Sequence, residues 1–195
     1  MVACIPKLLS EIIDQDLHET VAKKALRLME LKTAEKLSVD IRFDDYEVFC
    51  FSIDKDRNSH ESSKDLIFPF FNASAEGVLS KNDFIIIAQK QHKVCVFLIE
   101  LKSSNPNGYL KQLHSARAFM RFVLDKARIC HPKFKSIDEL ELEYKGILFS
   151  KPPISNKIAI EKSKSKSKKL LFEDKNGLLV TQQSYDNVYY MSQFF

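Results

Sequence analysis

Two apolar runs constrain this chain more than anything else in it. "DFIIIAQ" (Asp83 to Gln89) and "VCVFLIELK" (Val94 to Lys102) are joined only by "KQHK". Their apolar residues are consecutive. A strand with one face in water alternates apolar and polar side chains, so a continuous run belongs to a strand covered on both faces. The connection has hairpin length, which makes the two strands antiparallel neighbours. A chain committed to this pair must lay material on both sides of a sheet, and helices on each side are the expected cover.

The remaining segments are read around that pair. From residue 7 to about residue 36, Leu8, Leu9, Ile12, Ile13, Leu17, Val21, Ala25, Leu28 and Met29 recur at three- and four-residue steps, which predicts a long helix. "YEVFCFSID" reads as a strand and "KDRNSHESSKD" as a polar loop. "LIFPFF" is interrupted by Pro69 and reads as an edge or irregular segment. Tyr109 to about Cys130 has helical spacing, and Pro132 stops it. "YKGILFS" and "NKIAIEK" read as strands, and "KKLLFED" and "GLLVTQQ" as a hairpin turning at "KNG". The fold class expected is α/β: a central mixed β-sheet flanked by helices, with additional C-terminal strands. At 195 residues the chain suits a single domain, with a core over about 7–162 and a β extension over about 163–195.

Composition removes several classes of function. Cys4, Cys50, Cys95 and Cys130 form no CxxC pair, and the five histidines show no ligand spacing, which argues against zinc. Reduced thiols in a cytoplasmic protein are expected. The start of the chain meets acidic residues before a long apolar stretch forms, so no secretory signal and no membrane partner are expected. A net charge of +4 permits a polyanionic partner without requiring one.

The chemistry gathers where the two apolar strands end. Side chains two apart on a strand share a face, so Glu100 and Lys102 point one way and Leu101 the other. The hairpin sets Asp83, at the start of one strand, beside Glu100, at the end of its neighbour. Two carboxylates held together repel, and burial makes this worse. A divalent cation with oxygen ligands offsets that repulsion, and Mg²⁺ takes one or two carboxylates in such sites. Lys102 would add a cation able to orient a water or to stabilise charge on a phosphate. The bland alternative is a solvated Glu–Lys pair on an exposed edge, with Asp83 merely opening a strand. The two readings differ in whether Glu100 and Lys102 face open solvent far from Asp83.

Asp83, then Glu100-Leu101-Lys102 closing an apolar strand, then a helix, resembles the PD-(D/E)xK, or restriction-endonuclease-like, nuclease superfamily. Asn82 stands where the family's first Pro would be. The resemblance covers the α-β-β-β-α-β order, about two thirds of the chain; the excursion from Lys55 to Asn82 is unusual for the family's minimal core. It implies a metal-dependent nuclease that hydrolyses phosphodiester bonds, in DNA rather than RNA, of restriction, repair or defence type. Asp83 and Glu100 would bind Mg²⁺ (or Mn²⁺ in its place), and Lys102 would assist the attacking water. Gln112, early in the second helix, matches a supporting Gln that many members carry. Ala116 stands where the RecB-like subgroup has Tyr. Many members add a Glu from the first helix, and Glu11, Glu19, Glu30 and Glu35 are the candidates.

Two further features bear on partners. Lys162, Lys164, Lys166, Lys168 and Lys169 in "EKSKSKSKK" read either as an arm for nucleic-acid phosphates or as a solvated loop. The aromatic end "YYMSQFF" reads as a last strand packed on the core or as a surface for a homodimer or partner subunit. The competing functions are a catalytically silent nucleic-acid-binding module and a protein-interaction subunit of the same fold.

Overall fold

The computed structural model describes residues 3–29, 38–54, 77–103, 107–151, 168–185 and 187–195. The expected strand at 156–162, the "LIFPFF" segment and the polar loop before it lie outside these.

The first helix is much shorter than its pattern suggests. Helix α1 spans Ile5–Ile12, with Pro6 in the first turn, where its missing N–H costs nothing. A 3₁₀ turn at Gln15–Leu17 follows, opened by the Asp14 carboxylate accepting from the Asp16 N–H at 3.1 Å. The chain then turns into strands β1 (Val21–Ala22) and β2 (Ala25–Met29). Leu26 and Leu28 are buried and Arg27 and Met29 exposed, which is the alternation of a strand. Strands β3 (Ser38–Arg42) and β4 (Glu47–Phe51) come next. β5 (Phe84–Lys90) and β6 (Lys93–Lys102) form the expected antiparallel hairpin, with Lys90 opposite Lys93.

Helix α2 (Tyr109–Cys130) enters through Gly108, whose φ of +80° is the left-handed conformation glycine adopts without penalty. A 3₁₀ segment, Pro132–Glu139, leads into β7 (Glu141–Ser150). β8 (Glu173–Asp174) and β9 (Leu179–Ser184) make the second hairpin. It turns at Asn176 and Gly177, both left-handed, with the Gly177 N–H donating to the Asp174 carboxylate at 2.9 Å. β10 (Val188–Tyr190) and the short helix α3 (Met191–Phe194) close the chain.

These strands make two mixed sheets, in the orders β4-β5-β6-β7-β9-β8 and β1-β2-β3-β10. In the larger sheet β4, β5 and β6 form an antiparallel meander; after α2 the chain returns as β7, parallel to β6. One face of this sheet carries Ile85, Ile87, Val96 and Leu98 against Leu113, Ala116 and Met120 of α2 and Ile5 and Leu9 of α1. The other face carries Ile86, Cys95, Phe97, Ile99 and Leu101 against Leu26, Leu28, Val39 and Ile41 of the smaller sheet and Met191 and Phe194 of α3. The double cover required by β5 and β6 is present, but its second layer is a sheet with a short helix, not the long helix expected there. No helix among the described residues is long and apolar enough to cross a membrane.

Candidate metal site at the end of the central hairpin

The parity of β6 sets the site. Val94, Val96 and Leu98 face α2, so Glu100 and Lys102 do as well, and Leu101 is buried in the opposite layer. Asp83 precedes Phe84 by one residue and shares the parity of Ile85 and Ile87, which places it on the same helix-facing side. Phe84 is the register partner of Ile99, so the next position brings Asp83 level with Glu100. The Asp83 carboxylate closes the gap by accepting from the Leu101 N–H at 2.6 Å. The expected pair of carboxylates is therefore assembled.

Glu100 is 1% exposed. Its Oε1 lies 2.7 Å from the Lys102 ammonium, and its Oε2 is buried with no hydrogen-bond partner. Burial pushes the Glu100 carboxyl up to about 8, and the charge of Asp83 adds to this. The bond from Lys102 and the neighbouring Gln112 amide offset part of that rise. The solvated edge pair is thus excluded for Glu100: it is buried, beside Asp83, and costly to ionise.

Helix α2 holds the approach to Asp83 from above. Gln112 Nε2 donates to the Lys81 carbonyl at 2.9 Å, and Ser115 Oγ donates to the Ser80 carbonyl at 2.7 Å. Asn82, 0% exposed, donates from Nδ2 to the carbonyls of Phe84 (2.5 Å) and Ile99 (3.2 Å). The sequence marks Asn82 only by its place before Asp83, and Ser115 has no motif; the bonds to Ile99 and Ser80 join segments distant in the chain, so spacing alone could not find them. Next to Lys102 in register, on β7, stands Ser150, whose Oγ accepts from Gln182 of β9 at 2.7 Å.

Of the first-helix glutamates, Glu11 is paired with Lys133 at 2.9 Å, in the segment that leads into the start of β7. That is the opposite end of the sheet from Glu100, which is level with Leu148 near the end of β7. Glu19 lies outside β4, its N–H bonded to the Cys50 carbonyl, so a whole strand separates it from β5. Glu30 and Glu35 lie outside the described residues, as do Lys162, Lys164 and Lys166. Lys168 is exposed. Lys169 donates to the Phe195 carbonyl at 3.3 Å. Phe195 packs near Phe97, on the face of the sheet opposite Glu100. The structure does not bring Lys169 to the carboxylates.

The donors fit a hard cation. Both carboxylates offer oxygen, the buried Glu100 Oε2 has no other partner, and a nearby positive charge would relieve the repulsion that raises Glu100. Among the described residues no group of three or more His, Cys, Asp or Glu side chains is gathered for a metal. The four cysteines are free, with Cys50 and Cys95 buried. Comparisons with protein-family models, with curated proteins and with solved structures find no match to this chain.

Proposed function

We propose that the protein is a Mg²⁺-dependent nuclease of the PD-(D/E)xK type, hydrolysing phosphodiester bonds in DNA rather than RNA. The observation that carries this is the buried Glu100, with one oxygen unpartnered, set against Asp83 and Lys102 at the end of a strand pair. The element order around it supports the same reading: the meander β4-β5-β6, α2, then β7 parallel to β6, with α1 preceding them and β1, β2 and β3 inserted before β4.

Asp83 and Glu100 would hold the metal. Bound there, Mg²⁺ would supply Lewis acidity toward a phosphate oxygen and lower the pKa of a coordinated water. The chain's own groups do the rest. The Leu101 N–H fixes one Asp83 oxygen and so orients the carboxylate. Lys102 is held on the same face as Glu100 and presents a donor to the attacking water or to a phosphate oxygen. Gln112 ties the first turn of α2 to the segment leading into Asp83 and so supports the site from above. Burial excludes bulk water from Glu100 and strengthens each of these interactions.

The test is cleavage of DNA and RNA by purified protein with Mg²⁺, beside Asp83→Ala and Glu100→Ala. Cleavage lost in both variants supports the reading. Nucleic acid bound but uncut, with metal binding unaltered by either change, would leave the silent binding module.

A further inference from the structure

We propose that Asn82 is a positioning residue of the Asp83–Glu100 site: its amide, tied to the carbonyls of Phe84 and Ile99, fixes the end of β6 against the start of β5 and so sets the spacing of the two carboxylates. The inference rests on the reading of that pair as a metal site. Phe84 and Ile99 are partners in one rung of the ladder. A single Nδ2 bonded to both carbonyls clips that rung from outside. At the neighbouring position the Leu101 N–H turns to the Asp83 carboxylate, so side chains take over from the backbone where the carboxylates stand. The amide can serve in one orientation only. Reversed, Oδ1 would face two carbonyl oxygens, neither of which can donate.

The tie is made at a cost. Asn82 Oδ1 is buried with no hydrogen-bond partner, and a buried acceptor left unpaired is destabilising. An apolar side chain of similar size would fill the space without that penalty, but it would remove the link between the two carbonyls. A carboxylate in this place would lose the donors and add a third acidic group next to the pair. The neutral amide supplies the link without disturbing the charge balance of the pair. Ser115 holds the same approach segment at Ser80, three residues before Asp83, and provides an internal comparison.

The experiment titrates Mn²⁺ into the full chain without nucleic acid, following the bound ion by electron paramagnetic resonance, with thermal unfolding of each protein measured in parallel. Asn82→Ala is expected to weaken Mn²⁺ binding about tenfold or more, as loss of a residue that orients a ligand commonly does. Ser115→Ala is expected to lower the melting temperature and leave Mn²⁺ affinity unchanged. Parent-like affinity in Asn82→Ala overturns the proposal, and so does an equal loss in Ser115→Ala, which would signify general loosening. If Asn82→Ala does not fold, Asn82→Ser retains a donor for one carbonyl and should show a smaller loss; parent-like affinity there has the same negative force. A parent protein that binds no Mn²⁺, or binds it as Asp83→Ala does, overturns the metal-site reading itself and this inference with it.

Discussion

Glu100 is the residue on which the chemistry and the stability of the site meet. Its carboxyl is raised to about 8 in the folded chain, against about 4.5 in an unfolded one. Between those values the folded state holds a proton that the unfolded state has lost, so this group's contribution to stability declines as pH rises through that window. The decline is on the order of 1.4 kcal/mol per unit of pKa difference. Glu100→Gln should therefore flatten the pH dependence of metal-free unfolding between about pH 5 and 8, and the variant should be the more stable protein at pH 8. Denaturant titrations of both proteins across that range measure it; an unchanged slope would mean Glu100 is ionised when buried. A cation must displace the same proton, so Mg²⁺ affinity should rise with pH up to about 8, with proton release on binding visible by calorimetry in two buffers. At this scale the placement of Asp83, Glu100 and Lys102 was legible because a strand's parity and a short hairpin place side chains without knowledge of the rest of the fold; Gln112, on a helix, came from the resemblance alone. The burial of Asn82 was not, since nothing local distinguishes a buried amide from an exposed one.

Among the elements, β4, the strand pair and α2 could be read, and the stretch after Ile12 expected to continue the first helix could not. Val21, Ala25 and Leu28 satisfy a helical step, while Leu26 and Leu28 satisfy a strand's, and short apolar runs do not separate the two. The structure resolves this with a turn at Lys23 and Lys24, whose φ values of +45° and +63° are unusual for residues with side chains. The turn carries no Gly or Asn to announce it. Replacing the pair by Asn-Gly should stabilise the protein by about 1 kcal/mol, by removing left-handed strain in a two-residue hairpin. A loss of stability in thermal unfolding would contradict that account of β1 and β2. The seat of α2 is tighter. A Cβ at Gly146 would stand 2.8 Å from Leu113 Cδ1 and 3.1 Å from Val180 Cγ2. Gly146→Ala should cost about 1–3 kcal/mol by overpacking this contact, a loss measurable by denaturant unfolding.

At the scale of the whole molecule, the larger sheet divides its labour between two faces. The helix-facing side carries the carboxylates, and the other side is closed by the smaller sheet and by the end of the chain. The requirement for cover on both faces followed from β5 and β6 alone; the nature of the second cover depended on β2, β3 and β10, and β10 meets β3 only through long-range pairing. The aromatic tail is part of that cover. Tyr189, Met191 and Phe194 are buried, and the Lys145 ammonium donates to the Phe194 carbonyl at 3.0 Å. Phe194→Ala should accordingly destabilise the chain by about 3–5 kcal/mol in denaturant unfolding. The central claim concerns the other face. Its most direct measurement incubates the protein and Glu100→Gln with circular single-stranded DNA, linear duplex and RNA under Mg²⁺, Mn²⁺ and EDTA. The account predicts cleavage of DNA by the parent with either metal, none in EDTA, and a loss of about a thousandfold in the variant. Equal cutting by parent and variant, or no cutting of any substrate by the parent with either metal, would contradict it.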